Sequence, residues 1–172
     1  MKINNALRAI LVTLTLVFIG VITLSLRDTY AKVGDRAPAF SIVTNQGQKI
    51  TPTSFGGKVL VLNFWATWCP PCRQELPSLS QFQREFAKSG VVVVGISIDK
   101  SAQKYKNFLN RIPVSFATAR DPSADISAKY GTFQYPESYV IKNGIVVRKF
   151  VGEVDWTNAN VTQFVRGLLT GA

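Results

Sequence analysis

An α/β fold, in which helices flank a mixed β-sheet, is the class that the sequence predicts for most of the chain. Residues 58–65 (KVLVLNFW) are rich in β-branched and aromatic side chains, which is typical of a strand covered on both faces. Residues 70–89 carry apolar side chains at steps of three and four, which indicates a helix with one buried face. Residues 90–98 (GVVVVGISI) repeat the strand pattern. A strand, a helix and a second strand joined by short loops form a βαβ unit, so the two strands are expected to be parallel.

Shorter elements complete this pattern on either side of the βαβ unit. Turn residues between short apolar stretches indicate hairpins, and Ser101 stands at the N-cap position of a helix. In chain order, the sequence predicts a hairpin of 39–44 and 48–51, a helix at 101–112, a strand at 115–118, a helix at 123–130, a hairpin of 137–141 and 145–151, and a helix at 157–169. The first hairpin is an N-terminal extension that precedes the central strands.

A stretch of 18 residues without charge, 9–26, lies near the start of the chain. A helix of this length spans about 27 Å, close to the roughly 30 Å hydrocarbon core of a bilayer. Lys2 and Arg8 precede it, which favours a cytoplasmic N-terminus. A cleaved signal peptide is the alternative, and it exports the rest of the chain equally. The resulting prediction is a transmembrane helix at about 7–26, a membrane anchor and linker over 1–31, and an exported domain over 32–172.

Composition excludes several classes of site. The chain has no histidine, which rules out histidine general bases, cysteine–histidine and serine–histidine nucleophile pairs, and histidine metal ligands. Twenty Lys and Arg against ten Asp and Glu give a net charge of +10. These basic residues are scattered, so a solvated surface near anionic lipid is favoured over a nucleic-acid site. The sequence predicts no nucleic-acid partner, no metal and no cofactor.

The two cysteines of the chain, Cys69 and Cys72, directly follow the first central strand and open the helix behind it. An exported cysteine pair is normally oxidised, so a Cys69–Cys72 disulfide is expected. A purely structural role is the alternative, but so short a loop contributes only about 1.9 kcal/mol of stability, against about 3 kcal/mol for a loop of 15 residues. Unpaired N–H groups and the positive end of the helix dipole stabilise a thiolate at this position. A redox-active pair is therefore the preferred interpretation.

The two cysteines are expected to have different roles. Cys69 precedes the helix and is predicted to be the exposed nucleophile, whereas Cys72 lies one turn inside the helix and resolves the mixed disulfide. Pro70 and Pro71 fit a first helical turn, whose N–H groups have no intrahelical partner, and they hold the two sulfurs at a set separation.

Three segments carry a resemblance to a known family: VGDRAPAFSI at 33–42, GKVLVLNFWATWCPPC at 57–72, and YPESYVIKNGIVV at 135–147. Residues 33–172 resemble the TlpA/ResA-like membrane-anchored thiol-disulfide oxidoreductases, a group that includes the cytochrome c maturation reductants. The resemblance implies a thioredoxin-like fold and dithiol–disulfide exchange as the reaction. It also implies a single-pass protein of the cell membrane with its catalytic domain on the extracytoplasmic (periplasmic or outer) face.

The resemblance assigns roles to residues outside the cysteine motif. Pro136 matches the family's cis-proline opposite the cysteines, and a cis bond there exposes the backbone of Tyr135 to an extended substrate segment. We expect Trp68, Tyr135 and Pro136 to contact the substrate. Asn63 stands where thioredoxin proper has a buried aspartate, and asparagine cannot take a proton at neutral pH. Glu75 matches an acidic residue near the cysteines and is expected to transfer the proton instead; a solvated helix carboxylate is the alternative.

Other functions known for this fold fit the residues less well. A peroxiredoxin-like peroxidase needs a threonine three residues before its cysteine, where this chain has Ala66. A copper carrier needs a third ligand, usually histidine, and covalent haem attachment needs a histidine where this chain has Arg73. An inert, disulfide-stapled binding domain stays open as a further alternative.

The direction of electron flow is predicted from the groups beside the cysteines. Neither Pro70 nor Pro71 can donate a hydrogen bond, and an ionised Glu75 repels a thiolate, so the dithiol is expected to be a good reductant. A reductase of disulfides in exported proteins is favoured, and a disulfide oxidase or isomerase is the alternative. The family resemblance adds apocytochrome c as a candidate client and a membrane thiol-transporting protein as the electron donor.

Overall fold

The computed structural model describes residues 4–25, 30–56 and 58–170. Two residues that bear on the predictions for the N-terminal segment, Lys2 and Leu26, lie outside these ranges.

The described chain begins with helix α1 (Asn5–Ser25), which covers most of the predicted transmembrane segment. The mean hydropathy of Asn5–Ile22 is 2.1, and none of this stretch is buried. A core helix of similar composition would be covered by the rest of the protein. Helix α1 therefore has the length and composition of a membrane span or of a signal sequence.

Within the described residues, seven strands follow α1 and form two sheets. They are β1 (Ile42–Val43), β2 (Lys49–Ile50), β3 (Val59–Trp65), β4 (Val91–Ser97), β5 (Ala117–Arg120), β6 (Glu137–Lys142) and β7 (Ile145–Val151). Strands β1 and β2 form the predicted N-terminal hairpin, and the other five form a sheet in the order β5–β4–β3–β6–β7. Strands β3, β4 and β5 are parallel, whereas β6 and β7 run antiparallel to their neighbours. The mixed sheet and the parallel pairing of the βαβ unit are thus confirmed.

In the part of the chain that the structure describes, four helices pack around this sheet: α2 (Pro70–Phe86), α3 (Ala102–Arg111), α4 (Asp125–Tyr130) and α5 (Ala159–Thr170). Every residue of β3 is buried, so both faces of the sheet carry a core. Trp65 belongs to the core that includes Phe82 of α2 and Val165 of α5. Phe64 belongs to the opposite core with Tyr130 of α4. The helix that carries the cysteines is therefore held against the central strand by apolar packing along its length.

The strand predicted at 115–118 is displaced by two residues in the structure. Ser115 is not part of the ladder because its hydroxyl donates to the Ser80 carbonyl of α2 at 2.6 Å. Strand β5 begins at Ala117 and pairs Thr118 with Gly95. A long-range side-chain bond thus sets this boundary, and local sequence preference does not reveal it.

Three predicted helix boundaries also differ from the structure. Helix α5 begins at Ala159 rather than at 157, because the Thr157 N–H donates to the Asp155 carboxylate at 2.9 Å and forms a turn there. Helix α2 ends at Phe86, and a short 3₁₀ turn over Ala87–Ser89 follows, closed by Gly90 with φ of +88°. Helix α4 begins at Asp125 rather than 123, because the Ser123 hydroxyl donates to the Asp125 carboxylate at 2.7 Å and shapes a turn there.

Candidate active site

The cysteine pair lies at the carboxyl end of β3, where α2 begins. Cys69 and Cys72 are joined by a disulfide, with 5.3 Å between their Cα atoms. Cys69 is the N-cap of α2, and its sulfur accepts a hydrogen bond from the Cys72 N–H at 3.2 Å. This N–H is one of the donors that a helix start leaves without an intrahelical partner, and it is the donor that would stabilise a Cys69 thiolate.

Cys69 is less exposed than the sequence predicts. Only 4% of the Cys69 surface and 1% of the Cys72 surface are accessible. The Cys69 sulfur lies 3.5 Å from the carbonyl oxygen of Tyr135, which approaches it from another loop. In the dithiol form this carbonyl is placed to accept a hydrogen bond from the Cys69 thiol.

The loop opposite the cysteines contains the peptide bond that the sequence predicts to be cis. The peptide bond between Tyr135 and Pro136 is cis in the structure. Pro136 is buried, whereas Tyr135 is half-buried with its hydroxyl 3.2 Å from that of Ser127. Trp68, next to Cys69 in the chain, is highly exposed. The structure therefore brings the Tyr135 backbone to the sulfur and leaves the Trp68 ring free at the surface.

The Glu75 carboxylate is buried beneath α2, with 2% of the residue accessible. Its Oε1 accepts hydrogen bonds from Asn63 Nδ2 at 3.0 Å and from the Trp156 indole N–H at 2.9 Å. Its Oε2 accepts from the Val154 N–H at 3.0 Å. Glu75 also lies one helical turn beyond Cys72, a spacing that brings two Cβ atoms to about 5–6 Å. Burial in this network excludes the alternative of a solvated helix carboxylate.

Burial sets the proton affinity of this carboxyl group. Loss of hydration raises the pKa of Glu75 from 4.5 to about 7, and the charge of Glu153 adds to the rise. The hydrogen bonds from Trp156 and Val154 favour the ionised form and oppose that rise. The group is thus able to gain or lose a proton near neutral pH.

Asn63 connects the central strand to this carboxylate. Its amide donates to Glu75 and to the Ser138 hydroxyl, the latter at 2.9 Å, while its own Oδ1 has no partner among the described residues. An amide neither gains nor loses a proton as an acid or base at neutral pH. Asn63 therefore holds the Glu75 carboxylate in place, and Glu75 is the group at this point of the core that can titrate.

Three contributors to the site were missed by sequence reasoning. Trp156 and the Val154 backbone reach Glu75 from the loop before α5, about 80 residues away in the chain, and no local pattern marks them. Buried Asp99, at the end of β4, accepts hydrogen bonds from the Thr67 N–H at 2.8 Å and the Thr67 hydroxyl at 2.6 Å. Asp99 thereby fixes the loop that carries Cys69. An aspartate directly after an apolar strand was the available signal for it.

The arrangement is suited to thiol–disulfide exchange. It provides two sulfurs, a helix N-terminus beside one of them, a titratable carboxyl one turn beyond the other, and a backbone carbonyl at the disulfide. Among the described residues, no group of three or more Cys, Asp or Glu side chains is placed to hold a metal ion.

Comparison with known proteins gives a consistent result. Residues 33–150 match the AhpC/TSA family. The thiol-disulfide oxidoreductase ResA of Bacillus thuringiensis subsp. konkukian is 31% identical over 160 residues, which cover 89% of this chain and 91% of ResA. The thioredoxin-like protein YneN of Bacillus subtilis is 35% identical over 148 residues, covering 81% of this chain and 86% of YneN.

A solved structure gives the same answer for the fold. The thiol:disulfide interchange protein of the thioredoxin family from Chlorobium tepidum TLS superposes with a TM-score of 0.69 at 31% identity, over 80% of this chain and 98% of that one. The chain therefore belongs to the AhpC/TSA family and, within it, to the ResA-like thiol-disulfide oxidoreductases with a thioredoxin-like fold.

Proposed function

We propose that this enzyme reduces disulfides in exported proteins. In its dithiol form the Cys69 thiolate attacks a client disulfide, forming a Cys69–client bond and releasing one client sulfur, which takes up a proton. The Cys72 thiolate then attacks the Cys69 sulfur, forms the Cys69–Cys72 disulfide and releases the second client sulfur as a thiol. Two electrons and two protons pass to the client.

The buried Glu75 carboxyl is the observation that carries this proposal. Cys72 must lose its proton inside the core before it can attack, because a thiol is a poor nucleophile and the residue is almost fully buried. Glu75, with a pKa of about 7, takes that proton and passes it to the departing client sulfur. The hydrogen bond from Asn63 holds the carboxylate in position for this transfer.

Burial of the cysteines supports the direction of transfer. A disulfide is strongly oxidising when its reduced form is stabilised, usually as an exposed thiolate beside positive charge. Here both sulfurs are buried, and Glu75, one helical turn beyond Cys72, is an acid whose ionised form would repel a Cys72 thiolate. The dithiol therefore gives up its electrons readily, as a reductase requires.

Client binding is proposed for the surface around the disulfide. An extended client segment would pair with the Tyr135 backbone beside Pro136, and the exposed Trp68 ring would cover its side chains. This arrangement places a client disulfide against Cys69, the sulfur nearest to Tyr135.

The proposed location is the extracytoplasmic face of the cell membrane. Residues 1–31 form the anchor and linker, with the membrane span at about 7–26, and residues 32–172 form the catalytic domain. The exposed apolar side chains of α1 support this proposal, because exposing so much apolar surface to water is unfavourable, whereas a lipid bilayer solvates it. A membrane protein that carries thiol electrons would regenerate the dithiol, and apocytochrome c is the candidate client.

Retention of the N-terminal segment is a separate prediction. We expect the mature protein in membranes to begin at or near Met1, because a single apolar helix of this length anchors a protein stably. Intact-mass measurement of the membrane fraction checks this. A soluble mature protein that begins near Lys32 would show that the N-terminal segment is a cleaved signal peptide and not an anchor.

Reduction of a client-like peptide tests the function itself. The reduced full-length enzyme is mixed with an oxidised peptide that contains Cys-x-x-Cys-His, and free peptide thiols are labelled over time. We expect stoichiometric transfer of the electrons to the peptide at pH 7. If the oxidised enzyme instead converts the reduced peptide completely to its disulfide, the protein is an oxidase.

A further inference from the structure

Three exposed apolar side chains cluster where the chain enters the catalytic domain. Tyr30, Val33 and Phe133 expose 56%, 60% and 78% of their surfaces. Together with Lys32 and Lys149 they line one shallow cavity of about 720 Å³. We call these five residues the Tyr30–Phe133 surface.

Contacts inside this surface hold its parts together. The Tyr30 ring packs on the backbone of Gly131, so closely that an added Cβ there would lie 2.5 Å from it. The Lys149 ammonium lies 5.6 Å from the centre of the Phe133 ring and forms an ion pair with buried Glu137 at 2.9 Å. The apolar groups are therefore held at the surface by neighbouring contacts.

The position of this surface in the chain restricts what it can face. Helix α1 ends at Ser25, and Tyr30 follows five residues later. Five residues span at most about 18 Å, even when fully extended. If α1 crosses the bilayer, Tyr30 therefore lies within about 18 Å of the end of the membrane helix. This distance is comparable with the depth of the headgroup region and the water layer next to it.

We propose that the Tyr30–Phe133 surface rests on the lipid headgroups of the membrane that α1 spans; the proposal depends on the anchor proposed above. Aromatic rings favour the membrane–water interface, where their apolar bodies leave water. Glu137 compensates the charge of Lys149, so Lys32 is the cation of this surface that adds positive charge, in a chain of net charge +10, and anionic headgroups attract such charge.

Docking in this way would orient the active site. Phe133 precedes Tyr135 by two residues, and the Tyr135 carbonyl lies 3.5 Å from the Cys69 sulfur. A domain that rests on Phe133 therefore keeps its disulfide close to the membrane plane, where a membrane-embedded thiol donor can reach it without a long excursion of the domain.

Photochemical cross-linking of the full-length chain tests this surface. Phe133 is replaced by benzoylphenylalanine, which keeps an aromatic ring and leaves the cysteines intact, and the protein is reconstituted in vesicles of phosphatidylcholine and phosphatidylglycerol. The matched control carries the same group at Asn110, an exposed position on α3 at the other face of the sheet. We expect at least tenfold more lipid adduct at 133 than at 110, read by mass.

A second variant separates lipid contact from chance proximity. Val33→Asp places a carboxylate in the middle of the surface, and we expect it to lower the lipid adduct at 133 several-fold without changing peptide reduction in detergent. Equal lipid adducts at 133 and 110, with the chain still retained by the vesicles after alkaline extraction, would overturn the docking while leaving the anchor intact. Adducts at 133 to a client peptide but not to lipid would also overturn the docking. Release of the chain by alkaline extraction would overturn the anchor and the docking together.

Discussion

Replacement of Cys72 by serine is expected to stop the reaction at the mixed disulfide. The Cys72→Ser enzyme still attacks a client through Cys69, but no second thiol is present to release it, so a covalent complex accumulates. Turnover should fall on the order of 10³-fold or more, as when a nucleophile is removed from a catalytic unit. Non-reducing electrophoresis with mass analysis of the linked peptides measures the complex and identifies the sulfur in it.

The matched variant is Cys69→Ser, which we expect to form no complex and to have no reductase activity. Both variants remove the same disulfide, so a common loss of stability does not account for a difference between them. Equal trapping by the two variants would contradict the assignment of Cys69 as the nucleophile and Cys72 as the resolving cysteine.

Replacement of Glu75 by glutamine is expected to slow reduction about 10²-fold at pH 7, since general acid–base catalysis typically contributes 10²–10⁴-fold. Removing the negative charge should also lower the pKa of at least one cysteine in the dithiol form, because an ionised carboxylate beside a thiol disfavours the thiolate. The pH dependence of thiol alkylation measures those pKa values. Unchanged alkylation and an unchanged rate of reduction would remove Glu75 from the mechanism.

The pH dependence of stability provides an independent readout for the same variant. The folded-state pKa of Glu75 is about 7, above its ordinary value of 4.5, so its contribution to stability is fully present below pH 4.5 and is lost as pH rises through 7. The loss amounts to about 3–4 kcal/mol above pH 7, taking 1.4 kcal/mol for each unit by which the pKa is raised. Glu75→Gln removes this slope, although the new amide leaves the Val154 N–H without its acceptor at a cost of about 1–3 kcal/mol.

Glu153→Gln is the control for this experiment. Glu153 is exposed and raises the pKa of Glu75 through its charge, but it does not take part in the buried hydrogen-bond network. We expect Glu153→Gln to retain the pH slope of stability, shifted slightly toward lower pH, and to retain activity. Denaturant unfolding at pH 5 and pH 8 compares the three proteins.

Local sequence patterns were sufficient to place the cysteine pair. Residues close to the cysteines in the chain carry the signals: the buried strand before Cys69, the helical stripe after it and the two prolines between the cysteines. The structure has the disulfide at the junction of β3 and α2. The same kind of reasoning identified the two central strands, whose apolar residues cover both faces of the sheet.

Long-range contacts account for what the sequence did not reveal. Cys69 is buried because the Tyr135 loop, 66 residues away, covers its sulfur. The partners of Glu75 include Trp156, which is 81 residues away, and no periodicity connects the two. Asp99 reaches back to Thr67 across the βαβ unit. Contacts of this kind depend on the packing of the whole domain, so they become visible only in three dimensions.

Equilibration of the full-length enzyme with a dithiothreitol redox buffer at pH 7 tests the central claim, that Cys69 and Cys72 form a reducing, exchangeable pair. The fraction of Cys69–Cys72 disulfide, read by thiol labelling across the series of ratios, gives the reduction potential. The buried sulfurs and the adjacent Glu75 predict a value about as low as that of thioredoxin, −270 mV, with rapid exchange. A value near the roughly −120 mV of a strong disulfide oxidant, or one below about −300 mV without exchange as in a structural disulfide, would contradict it.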